Sequence, residues 1–227
     1  MKRDSNVRVA GICVALAAYG LLASGCGGGQ PKAASPKVRT SWAVPTPAGY
    51  VALSSKEARA ASGTPTGVQT LKDVATSGSE HGNSTALRHA GWRSGISEYW
   101  YPKSVSQVDS SNAQVDSPYA LTLSIDQFDS PSEAAAYEEK SMSYFSKGPK
   151  GVSAQVVPLK YGVVPGAMAD KIELPRTASS KTTITLVFLV YHVGPYMVTV
   201  GGGETNTTGH LQSLAERLAT AQVNRLP

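Results

Sequence analysis

The chain has 227 residues, 41% of them hydrophobic and 16% charged, with a formal net charge of +5. This is enough apolar content for one well-buried domain, and no Lys/Arg run marks a nucleic-acid surface. Both cysteines, Cys13 and Cys26, lie near the N-terminus, which excludes a disulfide framework or a cysteine-based metal site from the rest of the chain.

Residues 1–25 read as a targeting segment. Lys2, Arg3 and Arg8 supply a positive start, and residues 9–23 form an apolar run broken only by Gly11 and Gly20. That run is shorter than the about 20 residues a helix needs to span a bilayer, and it suits the core of a signal peptide. Leu21-Leu22-Ala23-Ser24-Gly25-Cys26 then resembles the lipobox of bacterial lipoproteins, relaxed in that Ala23 holds the place three before the cysteine. The resemblance implies diacylglycerol transfer to the Cys26 sulfur and cleavage before Cys26. The lipid would hold the protein on the outer face of the bacterial cytoplasmic membrane, since each buried CH₂ contributes about 0.8 kcal/mol. Cleavage would also remove Cys13 and lower the net charge from +5 to +3.

Residues 26–47, rich in Gly, Pro and Ser, are predicted to be a disordered tether with a reach of roughly 25 Å. A single α+β domain is expected over 48–227, clearest from 84. A short helix is expected at 55–61, stopped by Gly63. Val68, Leu71, Val74 and Ala75 recur at helical spacing and predict a second helix. A third is expected at 85–90, ended by Gly91.

Residues 96–101 predict an aromatic-rich strand, followed by a polar loop over 103–117. Residues 119–128 alternate, with Leu121, Leu123 and Ile125 on a buried face and Thr122, Ser124 and Asp126 on a polar one. Ser130, Pro131 and Glu133 give a capping box that starts a helix ending before Gly148. Strands are expected at 152–161 and 168–174. Residues 182–193 are apolar on both faces and should be central. Gly194-Pro195 turns the chain into a strand at 196–200, Gly201-Gly202-Gly203 reads as a loop, and a last helix runs over 208–223.

The segment starting at Pro118 parallels the one starting at Pro195, with a helix cap 12 residues after each proline (Ser130 and Thr207). This suggests an internal ββα pseudo-repeat. The expected architecture is an antiparallel β-sheet with two main helices packed on one face.

Candidate chemistry is sparse. His81, His89, His192 and His210 lack metal-ligand spacing. No Gly-x-Ser-x-Gly elbow occurs, although a Ser/His/Asp site could assemble in space. Asp126, Asp129, Glu133, Glu138 and Glu139 read as turn, cap and helix-surface carboxylates. No catalytic, cofactor or metal-binding residue is assigned. The densest aromatic group, Trp92, Tyr99, Trp100 and Tyr101, provides the candidate ligand or partner contacts, because aromatics line clefts and interface hot spots.

With the lipobox, the tether, Gly91-Trp92-Arg93-Ser94-Gly95 before a strand, the strand–helix unit at 119–145 and the terminal helix, the chain resembles small actinobacterial lipoproteins of unknown function. That resemblance implies a compact α+β domain and supplies no catalytic residue. The expectation is a lipid-anchored, extracytoplasmic, non-catalytic module that binds a small apolar or envelope ligand, or a partner protein, without nucleic acid or cofactor. The alternatives are an envelope-acting hydrolase with a spatially assembled Ser/His site and a structural spacer.

Overall fold

The computed structural model describes residues 37–62, 65–75, 84–103, 120–145, 155–162, 164–174, 183–205 and 210–227. Cys26, the targeting segment and His81 lie outside the described residues, as does the predicted loop from 104 on. In chain order the elements are β1 (Tyr50–Ala52), α1 (Ser55–Ser62), β2 (Gly67–Gln69), α2 (Leu71–Ala75), α3 (Ser84–His89), β3 (Trp92–Pro102), β4 (Ala120–Phe128), α4 (Pro131–Phe145), β5 (Gln155–Pro158), β6 (Met168–Leu174), β7 (Ile184–Val193), β8 (Tyr196–Thr205) and α5 (His210–Val223). Among the described residues, eight strands form one antiparallel sheet in the order β1-β3-β4-β8-β7-β6-β5, with β2 also pairing β3. The α+β class is as expected.

Helix starts are set locally. Ser130 Oγ donates to Glu133 Oε2 at 2.7 Å and accepts from the Glu133 N–H at 3.3 Å, so the α4 capping pair forms. Two further pairs were not anticipated. Glu57 takes both the N–H and hydroxyl of Ser54, and Asp73 takes both from Thr70. Thr70 therefore begins a helix where the apolar spacing of Val68 to Ala75 had suggested one already running. Val68 instead sits in β2, opposite Ile96. At the other ends, Gly91 at φ +78° stops α3 and Gly194 at φ +55° turns β7 into β8, conformations that cost a residue with a Cβ.

The helix arrangement corrects the sequence expectation. Leu211, Leu214, Ala215, Leu218 and Ala219 of α5 join one core cluster with Leu121, Leu123, Ile125, Val187, Leu189, Tyr191, Val198 and Val200. Ala134, Tyr137 and Met142 of α4 join another with Phe128, Leu186, Phe188, Val190 and Met197. Successive strand residues point to opposite faces, so α4 and α5 cover opposite faces of the sheet. The reason lies in β7: a central strand apolar on both sides needs a cover on each. The ββα pseudo-repeat fails at the same point. Leu121 and Leu123 share a face with Val198 and Val200, as the alignment requires, yet the helices that follow go to different sides.

Two loops of the sequence reading are structure. Gly201, Gly202 and Gly203 lie within β8 and pair with both β4 and β7. A Cβ on Gly201 would lie 2.9 Å from Phe188 Cδ1, and one on Gly203 would lie 3.0 Å from Leu186 Cδ2. The glycines thus make room for large β7 side chains under α4.

Residues 37–47, expected to be tether, are docked. Val38, Ala43 and Val44 are buried, Trp42 packs edge-on against Tyr196, and the fully buried Gln222 of α5 holds the segment. Gln222 Oε1 accepts from the Val44 N–H at 3.0 Å and Nε2 donates to the Trp42 carbonyl at 2.8 Å. Residues 38–44 therefore belong to the folded domain, ahead of the expected start at 48. Gln222→Ala should leave two backbone groups without partners and cost about 1–3 kcal/mol, measured by urea unfolding. An unchanged midpoint would contradict the docking.

Candidate functional site

The four aromatic candidates do not form a contact surface. Trp92, Tyr99, Trp100 and Tyr101 are all buried. Trp100 belongs to the α5-side core and Trp92 to the α4-side core, while Tyr99 and Tyr101 pack with Leu53 and Ala58 beside α1. The same alternation that gave β3 its aromatics divides them between faces, so their role in this structure is packing.

Polar chemistry gathers instead on the α4 side of the central strands. The register aligns Ser97, Ser124 and Thr199 across β3, β4 and β8, with Tyr99, Thr122 and Gly201 in the next row. The face expected to be solvated is thus covered. Ser97 and Ser124 hydroxyls lie 3.4 Å apart. Among the described residues, the buried hydroxyls of Thr122 and Thr199 have no hydrogen-bond partner. Each such group costs about 1–3 kcal/mol, so this patch trades stability for polarity in the middle of the sheet.

Asp126 stands at the edge of the patch. The Trp92 indole Nε1 donates to its Oδ1 at 2.6 Å. Gly95 opposite gives the carboxylate its space, since a Cβ there would lie 2.8 Å from Oδ1. Burial pushes the Asp126 carboxyl up to about 6, opposed by the Trp92 bond.

In the same row of the sheet, on the far side of Met197, lies His192. Its Nδ1 and Glu138 Oε2 of α4 are 2.5 Å apart, with side-chain exposures of 37% for His192 and 4% for Glu138. Burial raises the Glu138 carboxyl, and the histidine bond pulls the other way. Such a pair holds an imidazole by one nitrogen and leaves the other available as a proton acceptor, the base-and-orienter part of a hydrolytic triad. The hydroxyl one turn along α4 is committed elsewhere: Ser141 donates to the Tyr137 carbonyl at 2.8 Å and lies 3.9 Å from Met197 Sδ.

Glu138 was read from sequence as a helix-surface carboxylate and Asp126 as a strand-face one. Neither signal was available locally, because β7 and β3 lie far away in the chain. Of the other histidines, His89 ends α3 and His210 begins α5, both exposed. Asp129 pairs with Arg93 at the surface, and Glu133 caps α4 as expected. Among the described residues, no three His, Cys, Asp or Glu side chains come together as a metal site.

No protein-family model matches the chain, and no curated protein matches it. Among solved structures, the extracellular domain of PknH from Mycobacterium tuberculosis is similar over 62% of this chain and 69% of that chain, at 9% identity and a TM-score of 0.41. Similarity at that level carries nothing about family or function.

Proposed function

We propose that the chain is a lipid-anchored module on the outer face of a bacterial cytoplasmic membrane, acting by contact with an envelope ligand or partner protein rather than by catalysis. The observation that supports this reading most is the junction between Cys26 and the fold. The lipobox cysteine is followed by a Gly/Pro-rich stretch, and the chain enters the core at Val38. Among the described residues, no helix is long and apolar enough to cross a membrane. The proposed attachment is the acyl chains on Cys26. With the aromatic group committed to packing, the exposed large hydrophobics among the described residues are Val51 and Val68, on short strands along one edge of β3. A sheet edge offers unpaired backbone groups to another chain, which favours a partner protein over a small apolar ligand.

External proteolysis of spheroplasts tests the placement. The domain should be digested while the membrane is intact; protection until lysis would contradict it.

One observation favours a second reading. The Glu138–His192 pair could serve a hydrolase whose nucleophile comes from another part of the chain. With 4-nitrophenyl acetate as the reporter ester, the contact reading predicts the same slow background for wild type and His192→Ala. Turnover lost in His192→Ala would favour the hydrolase.

A further inference from the structure

The entry of the chain into the fold also orients it. Residues 41–44 are clamped to the end of α5 by Gln222, and Arg225 Nη2 donates to the Ser41 carbonyl at 3.0 Å. The chain preceding the domain and the C-terminal end of α5 therefore share one corner of the molecule. Trp42 packs on Tyr196, which pairs with Gln127 at the end of the sheet where β3 begins. Lys103 follows the opposite end of β3, and its N–H bonds the Gly49 carbonyl at 2.8 Å; Gly49 is five residues beyond Val44, so Lys103 lies no more than about 25 Å from the clamp.

This corner is basic. Residues 37–47 carry Lys37 and Arg39 and no carboxylate, and residues 210–227 carry Arg217 and Arg225 against Glu216. All four cations are exposed, whereas Glu216 is half-buried and accepts from Gln212 at 2.9 Å. The segment left between Cys26 and the docked chain is short. Ten residues, 27–36, separate Cys26 from Lys37 in the sequence, and ten residues span no more than about 36 Å. The lipid therefore keeps these cations at a high local concentration near the headgroups.

We propose that the domain rests on anionic phospholipid headgroups of the membrane that holds its anchor, with Lys37, Arg39, Arg217 and Arg225 as the contact and the Lys103 end directed away. The proposal rests on the lipid-anchored reading above. Each cation close to an anionic surface shifts the balance by about fivefold, and the attraction fades beyond a Debye length of about 8–10 Å. Four cations are enough to bias an already tethered domain to one orientation without making the contact permanent. The opposite end of the sheet, including the β1 edge, would then face the envelope.

The test uses the lipidated protein in phosphatidylcholine vesicles, with and without phosphatidylglycerol. A fluorophore is attached through Asn224→Cys or, separately, Lys103→Cys, and a headgroup-linked quencher reports proximity. With phosphatidylglycerol, quenching at 224 should exceed that at 103 several-fold. High salt, or the combined Lys37→Glu, Arg39→Glu and Arg217→Glu substitutions, which leave the Gln222 and Arg225 bonds to residues 41–44 in place, should bring the two to parity while circular dichroism stays unchanged. Equal quenching in anionic vesicles, or a difference that persists in neutral vesicles and in the charge-reversed protein, would overturn the proposal. The N-terminal peptide mass from the same preparation separates the two failures. Lipid on Cys26 with equal quenching overturns this proposal alone, and an unmodified Cys26 overturns the anchored reading together with it.

Discussion

Trp100→Ala should destabilise the protein by about 3–5 kcal/mol, the range for removing a large aromatic side chain from a packed core. Trp100 is 1% exposed and packs in the α5-side cluster with Ile96, Leu121 and Tyr50. Loss of the indole removes both its transfer free energy and its contacts with side chains that cannot collapse onto the gap. Val68→Ala, at an exposed position of β2, should change stability by less than about 0.5 kcal/mol. Urea unfolding of both variants against wild type measures the difference. A Trp100→Ala protein as stable as wild type would return the aromatic group to the role of a contact surface.

Asp126→Asn should stabilise the protein at pH 7.5 and have little effect at pH 4. Burial pushes the carboxyl up to about 6 from its ordinary 3.8. Below the lower of these the acid is protonated in both states, and burial costs no charge. As the pH rises from about 4 to above 6, the unfolded chain loses its proton first, and the folded state must bury a carboxylate. Stability conferred by the neutral acid is therefore lost as pH rises through the folded value. About two units correspond to about 3 kcal/mol at most, and the partial solvent contact of Asp126 brings the expectation to about 1–3 kcal/mol. Asparagine keeps an acceptor for the Trp92 indole and never carries the charge. Unfolding midpoints across pH 4 to 8 should fall for wild type and flatten for Asp126→Asn. Parallel curves would show that Asp126 is not the titrating group. Glu98 and Glu138, also raised by burial, pull in the same direction, whereas Glu57 and Asp73, held low by hydrogen bonds with Ser54 and Thr70, oppose it, and the residual slope is their sum.

The sequence made most of the individual elements legible, and little of their arrangement. Ser130-Pro131-x-Glu133 located the start of α4 because a capping pair is a local device. The alternation of 121–128 and the two-faced apolarity of β7 located the central strands. The sides of the sheet are set by β7 and not by either helix: with Leu186, Phe188 and Val190 on one side and Val187, Leu189 and Tyr191 on the other, both faces need a helix. Gly201 to Gly203 looked like a loop because strand propensity disfavours glycine. The reason for them, the bulk of Phe188 and Leu186 on the next strand, is non-local. The 37–47 segment was read by its prolines and serines, which suggest a tether. What docks it is Gln222, about 180 residues further on. The polar groups under α4 were hidden for the same reason. Asp126–Trp92 and Glu138–His192 are contacts across strands and across helix and sheet, and only the closed fold brings them together.

The attachment at Cys26 is the claim on which the proposed placement, the orientation and the short reach of residues 27–36 all depend. The mass of the N-terminal peptide of protein purified from membranes tests it most directly. The account predicts a chain that begins at Cys26 and carries the added mass of a diacylglycerol, with or without a further acyl group on its amine. A peptide that begins elsewhere, or an unmodified Cys26, would contradict it.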